Sequence, residues 1–199
     1  YPDVVFTSTL KRCIESAKIL YPDKNPIEMR GFEECDFGEF ENLTAEELAP
    51  HKEFTEWLAG GPDAKPLNGE SDQEFSTRVC DTFIKTVDGL IKTGTTSCAI
   101  FTHGGVIMSI LSAFGLPELP MTEWLCPSAC GYTLRITPSL WSKTRKAEVI
   151  NDIPASPLTE NQEEMLWDYY SNIPEDEPID DNEDLSDLMD FLSFMLEVN

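Results

Sequence analysis

Twice in this chain a short apolar, β-branched run passes directly into a stretch with helical periodicity. The first is VVFTS (4–8), followed by TLKRCIESAKIL, where Leu10, Cys13, Ile14, Ala17 and Leu20 share one stripe. The second is SCAIFT (97–102), followed after His103 by the helical stretch from Gly104 to Phe114, which Gly115 and Pro117 close. Runs without alternation are buried on both faces, and strands alternating with helices require a sheet covered on both sides. The expected class is therefore α/β: a three-layer α/β/α sandwich with a mainly parallel sheet. In such sheets ligands gather at the carboxyl ends of the strands. Both strands deliver their following residues to one rim, where Arg12 and His103 can meet.

The remaining pattern fits around these two units. Residues 23–26 end the first helix, and residues 31–43 have no clean period and read as a loop. TAEE (44–47) and SDQE (71–74) are capping boxes, separated by a Gly/Pro-rich loop at 60–70. The second box opens a long helix with Phe75, Val79, Phe83, Val87 and Leu90/Ile91 on its core side, stopped by Gly94. GYTLRI (131–136) and KAEVI (146–150) are expected strands, paired as a hairpin around a loop at 137–145. Residues 1–155 form the expected α/β domain, and 156–199 an acidic extension. In the extension, 175–184 reads as a solvated linker and 184–196 as an amphipathic helix carrying Leu185, Leu188, Met189, Leu192 and Met195/Leu196. That helix suits packing on its own domain or on a second copy in a homodimer, with use as a peptide ligand as the alternative.

Charge excludes one class of partner. The formal net charge is −23, and residues 151–199 hold 15 Asp or Glu with no Lys or Arg, leaving 22 acidic against 14 basic residues in 1–150. No basic stripe offsets phosphate repulsion, so nucleic acid is not an expected partner. A small anion held by local cations is compatible, because a site's field is set locally. No run approaches the roughly 18 apolar residues of a membrane span, so no membrane partner is expected. The six cysteines show no CxxC pair, and we expect reduced, mostly buried thiols in a cytoplasmic protein. Cys126 and Cys130 lack a nearby second pair of metal ligands. The sequence opens at Tyr1 almost directly on a strand, as in a chain cut at its front, and a targeting segment ahead of it stays open.

Three segments can carry chemistry. His103 lies between a buried strand and Gly104–Gly105, where a helix begins; its bland alternative is a structural histidine. Helix N-termini offer unpaired N–H groups to anions, and glycines allow close approach. Arg12 is either a surface cation or, turned to the rim, a bidentate phosphate ligand. Five carboxylates crowd residues 33–41: Glu33, Glu34, Asp36, Glu39 and Glu41. Such a run is usually a wet loop. A carboxyl of this group near a cleft, crowded by like charge and buried, would instead be raised toward the range of a general acid.

Together these stretches resemble the histidine phosphatase superfamily, also called phosphoglycerate-mutase-like. FTSTLKRCIESAKIL looks like its arginine-bearing helix, EECDFGEFENLT like its acid loop, LNGESDQEFSTRV like its entry to a long helix, and FTHGGVI like its second-histidine motif. The motifs run in family order over roughly residues 3–150. The short span between the acid loop and Arg78 resembles the small phosphatase branch more than the mutases. Phe40 stands where the family has tryptophan and Asn42 where it has glycine, though Asn tolerates left-handed backbone. The family's Arg-His-Gly triplet, source of its nucleophilic histidine, does not occur in these 199 residues, and His51, on an expected surface helix, is wrongly placed to substitute.

The resemblance implies phosphomonoester hydrolysis through a phosphohistidine. His103 and Arg12 would hold the transferring phosphoryl group with help from the Gly104 backbone, and Glu34 would act as acid, then base. No metal or cofactor is implied, and the partner is a small phosphorylated metabolite. Specificity is expected from the loops at 55–70 and 137–145. Two alternatives stand beside this reading: a non-catalytic phosphate-binding or interaction module, and a phosphoglycerate-type mutase. The chain as given, without the nucleophile, is expected to be inactive.

Overall fold

A computed structural model of the chain describes residues 1–59 and 64–153. The expected extension at 156–199 lies outside the described residues. In chain order the elements are β1 (Val4–Thr7), α1 (Lys11–Leu20), β2 (Ile27–Glu28), α2 (Ala45–Leu48), α3 (Lys52–Leu58), α4 (Asp72–Thr93), β3 (Cys98–Phe101), α5 (Gly104–Phe114), β4 (Gly115–Leu116), β5 (Gly131–Arg135), α6 (Pro138–Thr144) and β6 (Ala147–Ile153). Single 3₁₀ turns occur at Arg30–Phe32, Gly38–Phe40 and Met121–Trp124. The α/β class holds. Its strands form two three-stranded sheets, β2-β1-β3 and β4-β6-β5.

The described residues divide into two compact units. The first comprises residues 1–34 and 78 onward. Its fully parallel sheet pairs β1 with β3 from Val4 opposite Cys98 to Thr7 opposite Phe101. That register is what brings Ser8 and Thr102 level at the carboxyl rim, and the Ser8 N–H closes it on the Phe101 carbonyl at 2.9 Å. β2, two exposed residues following the break at 23–26, adds to the other side of β1. In the second sheet β5 and β6 form the expected antiparallel pair.

The expected loop at 137–145 is instead α6, with Pro138 in its first turn and Trp141 buried. A proline at the first helical position has the right φ and needs no N–H there. Arg145 ends the helix in a left-handed conformation, φ 55°. Trp141 packs against Phe83 of α4 and Phe114 of α5 with ring centroids 5.7–5.8 Å apart. Its indole N–H donates to Asp88 at 2.8 Å, and Arg145 pairs with the same carboxylate. Full burial of side chains this size stabilises by roughly 1.5–3 kcal/mol each, so one short helix is anchored by a single ring.

The long helix keeps its expected core side at Phe75, Val79, Phe83 and Val87, but Ile91 is exposed. Burial stops one turn before the helix does. Gly94, at φ 70°, ends it with the Gly94 N–H on the Ile91 carbonyl and the Thr95 N–H on that of Leu90, the Schellman pattern. The SDQE box is closed in both directions. Ser71 N–H donates to the Glu74 carboxylate at 2.9 Å, and Glu74 N–H to the Ser71 hydroxyl at 3.2 Å.

The second unit, Cys35–Thr77, has its own core of Leu48, Phe54 and Trp57, with Phe37, Phe40, Leu43 and Ala64 packed against it. Phe40 meets Phe54 edge-on at 5.6 Å and so shares in this core. Asn42 adopts φ 62°, a left-handed backbone that asparagine tolerates. Thr44 and Glu47 form the TAEE box reciprocally, at 2.9 and 3.3 Å. His51 belongs to this unit, exposed, at the N-cap position of α3.

Among the described residues no two cysteines form a disulfide, and only Cys13 is buried; Cys98 is exposed and the rest are half-buried. The expectation of mostly buried thiols fails: four of the six are half-buried, and Cys98 starts a strand whose first residue is open to solvent. Among the described residues no helix is long and apolar enough to cross a membrane.

Candidate active site

The two strand–helix junctions do bring Arg12 and His103 together. Arg12 is the second residue of α1, and its guanidinium donates from Nη2 and Nε to Nδ1 of His103, at 2.8 and 3.2 Å. An arginine is always a donor, so Nδ1 must be the ring's acceptor. The proton then sits on Nε2, which donates to the Ser8 hydroxyl at 2.8 Å. Ser8 Oγ also accepts the Leu10 N–H at 3.2 Å, which anchors it at the entry to α1. Cys13 Sγ lies 3.6 Å from Nε2.

His103 is 2 % exposed. Burial, and then the positive charges of Arg12 and Arg78, hold it down to about 3, so the imidazole is neutral at physiological pH. In this arrangement the cationic field comes from the arginines, and His103 supplies a fixed, oriented ring. It also serves as the backbone N-cap of α5, its carbonyl accepting the Ile107 N–H at 2.9 Å.

The expected anion seat at the start of α5 is filled from within the chain. Glu34 Oε2 accepts the Gly105 N–H at 3.0 Å. A Cβ at Gly105 would lie 2.5 Å from Glu34 Oε1, whereas one at Gly104 would meet nothing within 4 Å. Of the two glycines expected to allow close approach, Gly105 is the one a side chain of the protein reaches.

The acid run is wet on one side, with Asp36, Glu39 and Glu41 exposed and Glu33 and Glu34 half-buried, and each of its carboxylates accepts a hydrogen bond. Glu33 accepts the Thr9 hydroxyl, Asp36 the Gly38 N–H, Glu41 the Phe37 N–H and Glu39 the Asn68 amide. Glu34 is the member directed to the α5 terminus. Thr102, one residue before His103, donates its hydroxyl to the Phe32 carbonyl at 2.8 Å and ties the strand end to the same loop.

Sequence reasoning missed Ser8 and Arg78 as parts of this cluster. Ser8 was legible in the register, since it stands opposite the residue that precedes His103. Arg78 carried no such signal. From α4 its Nη1 reaches the carbonyls of Arg30, Gly31 and Glu33 at 3.0–3.3 Å, and its Nη2 reaches that of Glu34 at 3.2 Å.

A family model, histidine phosphatase superfamily (branch 1), matches residues 1–149. Among solved structures the chain is similar to the α-ribazole phosphatase from Shigella flexneri, at 22 % identity and TM-score 0.62, over 75 % of this chain and 72 % of that one. It is similar to the mycobacterial glucosyl-3-phosphoglycerate phosphatase at 20 % identity and TM-score 0.56, over 75 % of each chain. It is also similar to a phosphoglycerate mutase from Thermus thermophilus, at 23 % identity and TM-score 0.51, over 77 % of this chain and 74 % of that one. A search of curated proteins found no match. Identities this low speak for the fold alone; the family model covers three-quarters of the chain, and the chain belongs to branch 1 of the histidine phosphatase superfamily, whose members are phosphatases and mutases.

Proposed function

We propose that the protein is a phosphomonoester hydrolase acting on a small phosphorylated metabolite through a phosphohistidine. One observation carries the reading: a guanidinium, an imidazole and a carboxylate from three distant segments gather within hydrogen-bonding reach of the α5 start. Arg12 and His103 hold the equatorial oxygens of the transferring group. A nucleophilic imidazole nitrogen forms a bond to phosphorus as the ester P–O bond breaks, and Glu34 gives its proton to the departing alkoxide. Water then attacks the phosphohistidine, Glu34 takes its proton, and orthophosphate leaves.

Neither histidine of this sequence suits the nucleophile. Both ring nitrogens of His103 are engaged, and His51 is an exposed cap in the other unit. We assign the nucleophile to an Arg-His-Gly segment outside these 199 residues. The short span between the acid loop and Arg78 favours hydrolysis over mutase chemistry, because it leaves little chain to cover a second substrate hydroxyl.

The test uses the protein with its natural upstream sequence. It should release phosphate from nitrophenyl phosphate and form an acid-labile, alkali-stable phosphoprotein. Arg12→Ala should lower kcat/KM about 10²–10³-fold, the usual loss for one oxyanion donor. Vanadate binding without turnover would establish a phosphate-binding module instead, and transfer between hydroxyls of one substrate would establish a mutase.

A further inference from the structure

We propose that Arg78 is a positioning residue for Glu34, pinning the backbone of residues 30–34 so that the Glu34 carboxylate meets the Gly105 amide of α5. The inference rests on the reading of Glu34 as the general acid and adds a residue to that site.

The geometry is a fork holding a turn. Arg78 sits on α4 near its N-terminal end, and its two terminal nitrogens reach four carbonyls of one loop, those of Arg30, Gly31, Glu33 and Glu34. Carbonyl oxygens turned toward one point repel each other and require a common donor. A planar guanidinium with donors on two nitrogens meets that need at fixed spacing, and a lysine ammonium cannot span it. The loop also lies hard against the helix, since a Cβ at Gly31 would overlap the Thr82 side chain. The Arg78 bond to the Glu34 carbonyl and the Gly105 bond to the Glu34 carboxylate therefore grip one residue at both ends. Fixing the main chain leaves only side-chain torsions to place the carboxyl, and a proton donor misplaced by about 1 Å loses on the order of 10²-fold.

Arg78 also contributes positive charge at His103. Arg78→Lys separates the two roles, because it keeps the charge and loses the fork.

Two measurements decide. In the protein with its natural upstream sequence, kcat/KM, which reports formation of the phosphohistidine and not its hydrolysis, is compared on a nitrophenyl ester, whose leaving group needs little protonation, and on an alkyl phosphate, which needs it fully. Arg78→Lys should lose about tenfold or more on the alkyl ester beyond its loss on the aryl ester. It should follow Glu34→Gln in this, and the double variant should be no slower than Glu34→Gln alone. Equal losses on both esters would overturn the proposal. Independently of activity, the Gly105 amide of Arg78→Lys should shift and exchange faster by NMR, toward its behaviour in Glu34→Ala, while β5 amides such as Leu134 stay unchanged. A Gly105 amide identical to the unmutated protein's would overturn it, as would loss of the fold. If the unmutated protein shows no esterase activity, the functional reading falls, and the Gly105 amide still decides the role of Arg78.

Discussion

The neutral state of His103 has a measurable consequence for stability. In the unfolded chain this imidazole titrates at its ordinary value of 6.5, and in the fold it is held down to about 3. Between those values the unfolded chain binds the proton and the folded one does not, so stability rises with pH across that window and is lost as pH falls through it. At full separation the slope is about 1.4 kcal/mol per pH unit. Going from pH 7.5 to pH 5, the His103 contribution alone should weaken the fold by about 2 kcal/mol. The assay is urea unfolding at both pH values, for the unmutated chain and for His103→Gln, whose amide cannot titrate but can still accept from Arg12. With an m value of about 2 kcal/mol/M, the unmutated midpoint should fall roughly 1 M further than that of the variant. Comparing the two removes the carboxylates common to both. Equal falls would refute the claim that burial and the two arginines keep the ring neutral.

Two further outcomes test the fold around the site. Gly38 has φ 53°, and a Cβ there would overlap the Leu67 carbonyl, so Gly38→Ala should destabilise by roughly 2 kcal/mol or more in a thermal melt; Gly89→Ala, in open space within α4, should instead stabilise by up to about 1 kcal/mol. Asp88 is held below its ordinary 3.8 by hydrogen bonds from Trp141 and Arg145, so Asp88→Asn should melt lower at neutral pH, with the gap closing as acid protonates the carboxylate; a gap independent of pH would separate α6 from that pair.

What could be read in advance follows from how local each cause is. The β1–α1 and β3–α5 junctions, both capping boxes and the Gly94 stop depend on residues within a few positions of one another, and the structure has them where the pattern places them. The meeting of Arg12 and His103 needed one additional inference, that the two strands run parallel in a shared register, and that followed from strand–helix alternation. α6 was hidden because seven residues with one buried ring make no periodicity, although Thr137 and Pro138 mark its start. β2, two residues long with both exposed, has no pattern at all.

The site's remaining parts depend on which partner wins a contest that sequence cannot score. A helix N-terminus attracts any anion. Reading GG after His103 as a phosphate seat was therefore sound about the field and silent about its occupant, and in this structure the occupant is the chain's own Glu34. The same holds for the imidazole. Beside a phosphate it would be a cation, but between Arg12 and Ser8, with Arg78 adding positive charge, it is an acceptor on one nitrogen and a donor on the other. A substrate phosphoryl would have to take the Gly105 amide from Glu34 and the Arg12 guanidinium from His103. Each group it displaces is one the proposed reaction uses next: the carboxyl to protonate the leaving oxygen, the imidazole to hold an equatorial oxygen beside Arg12.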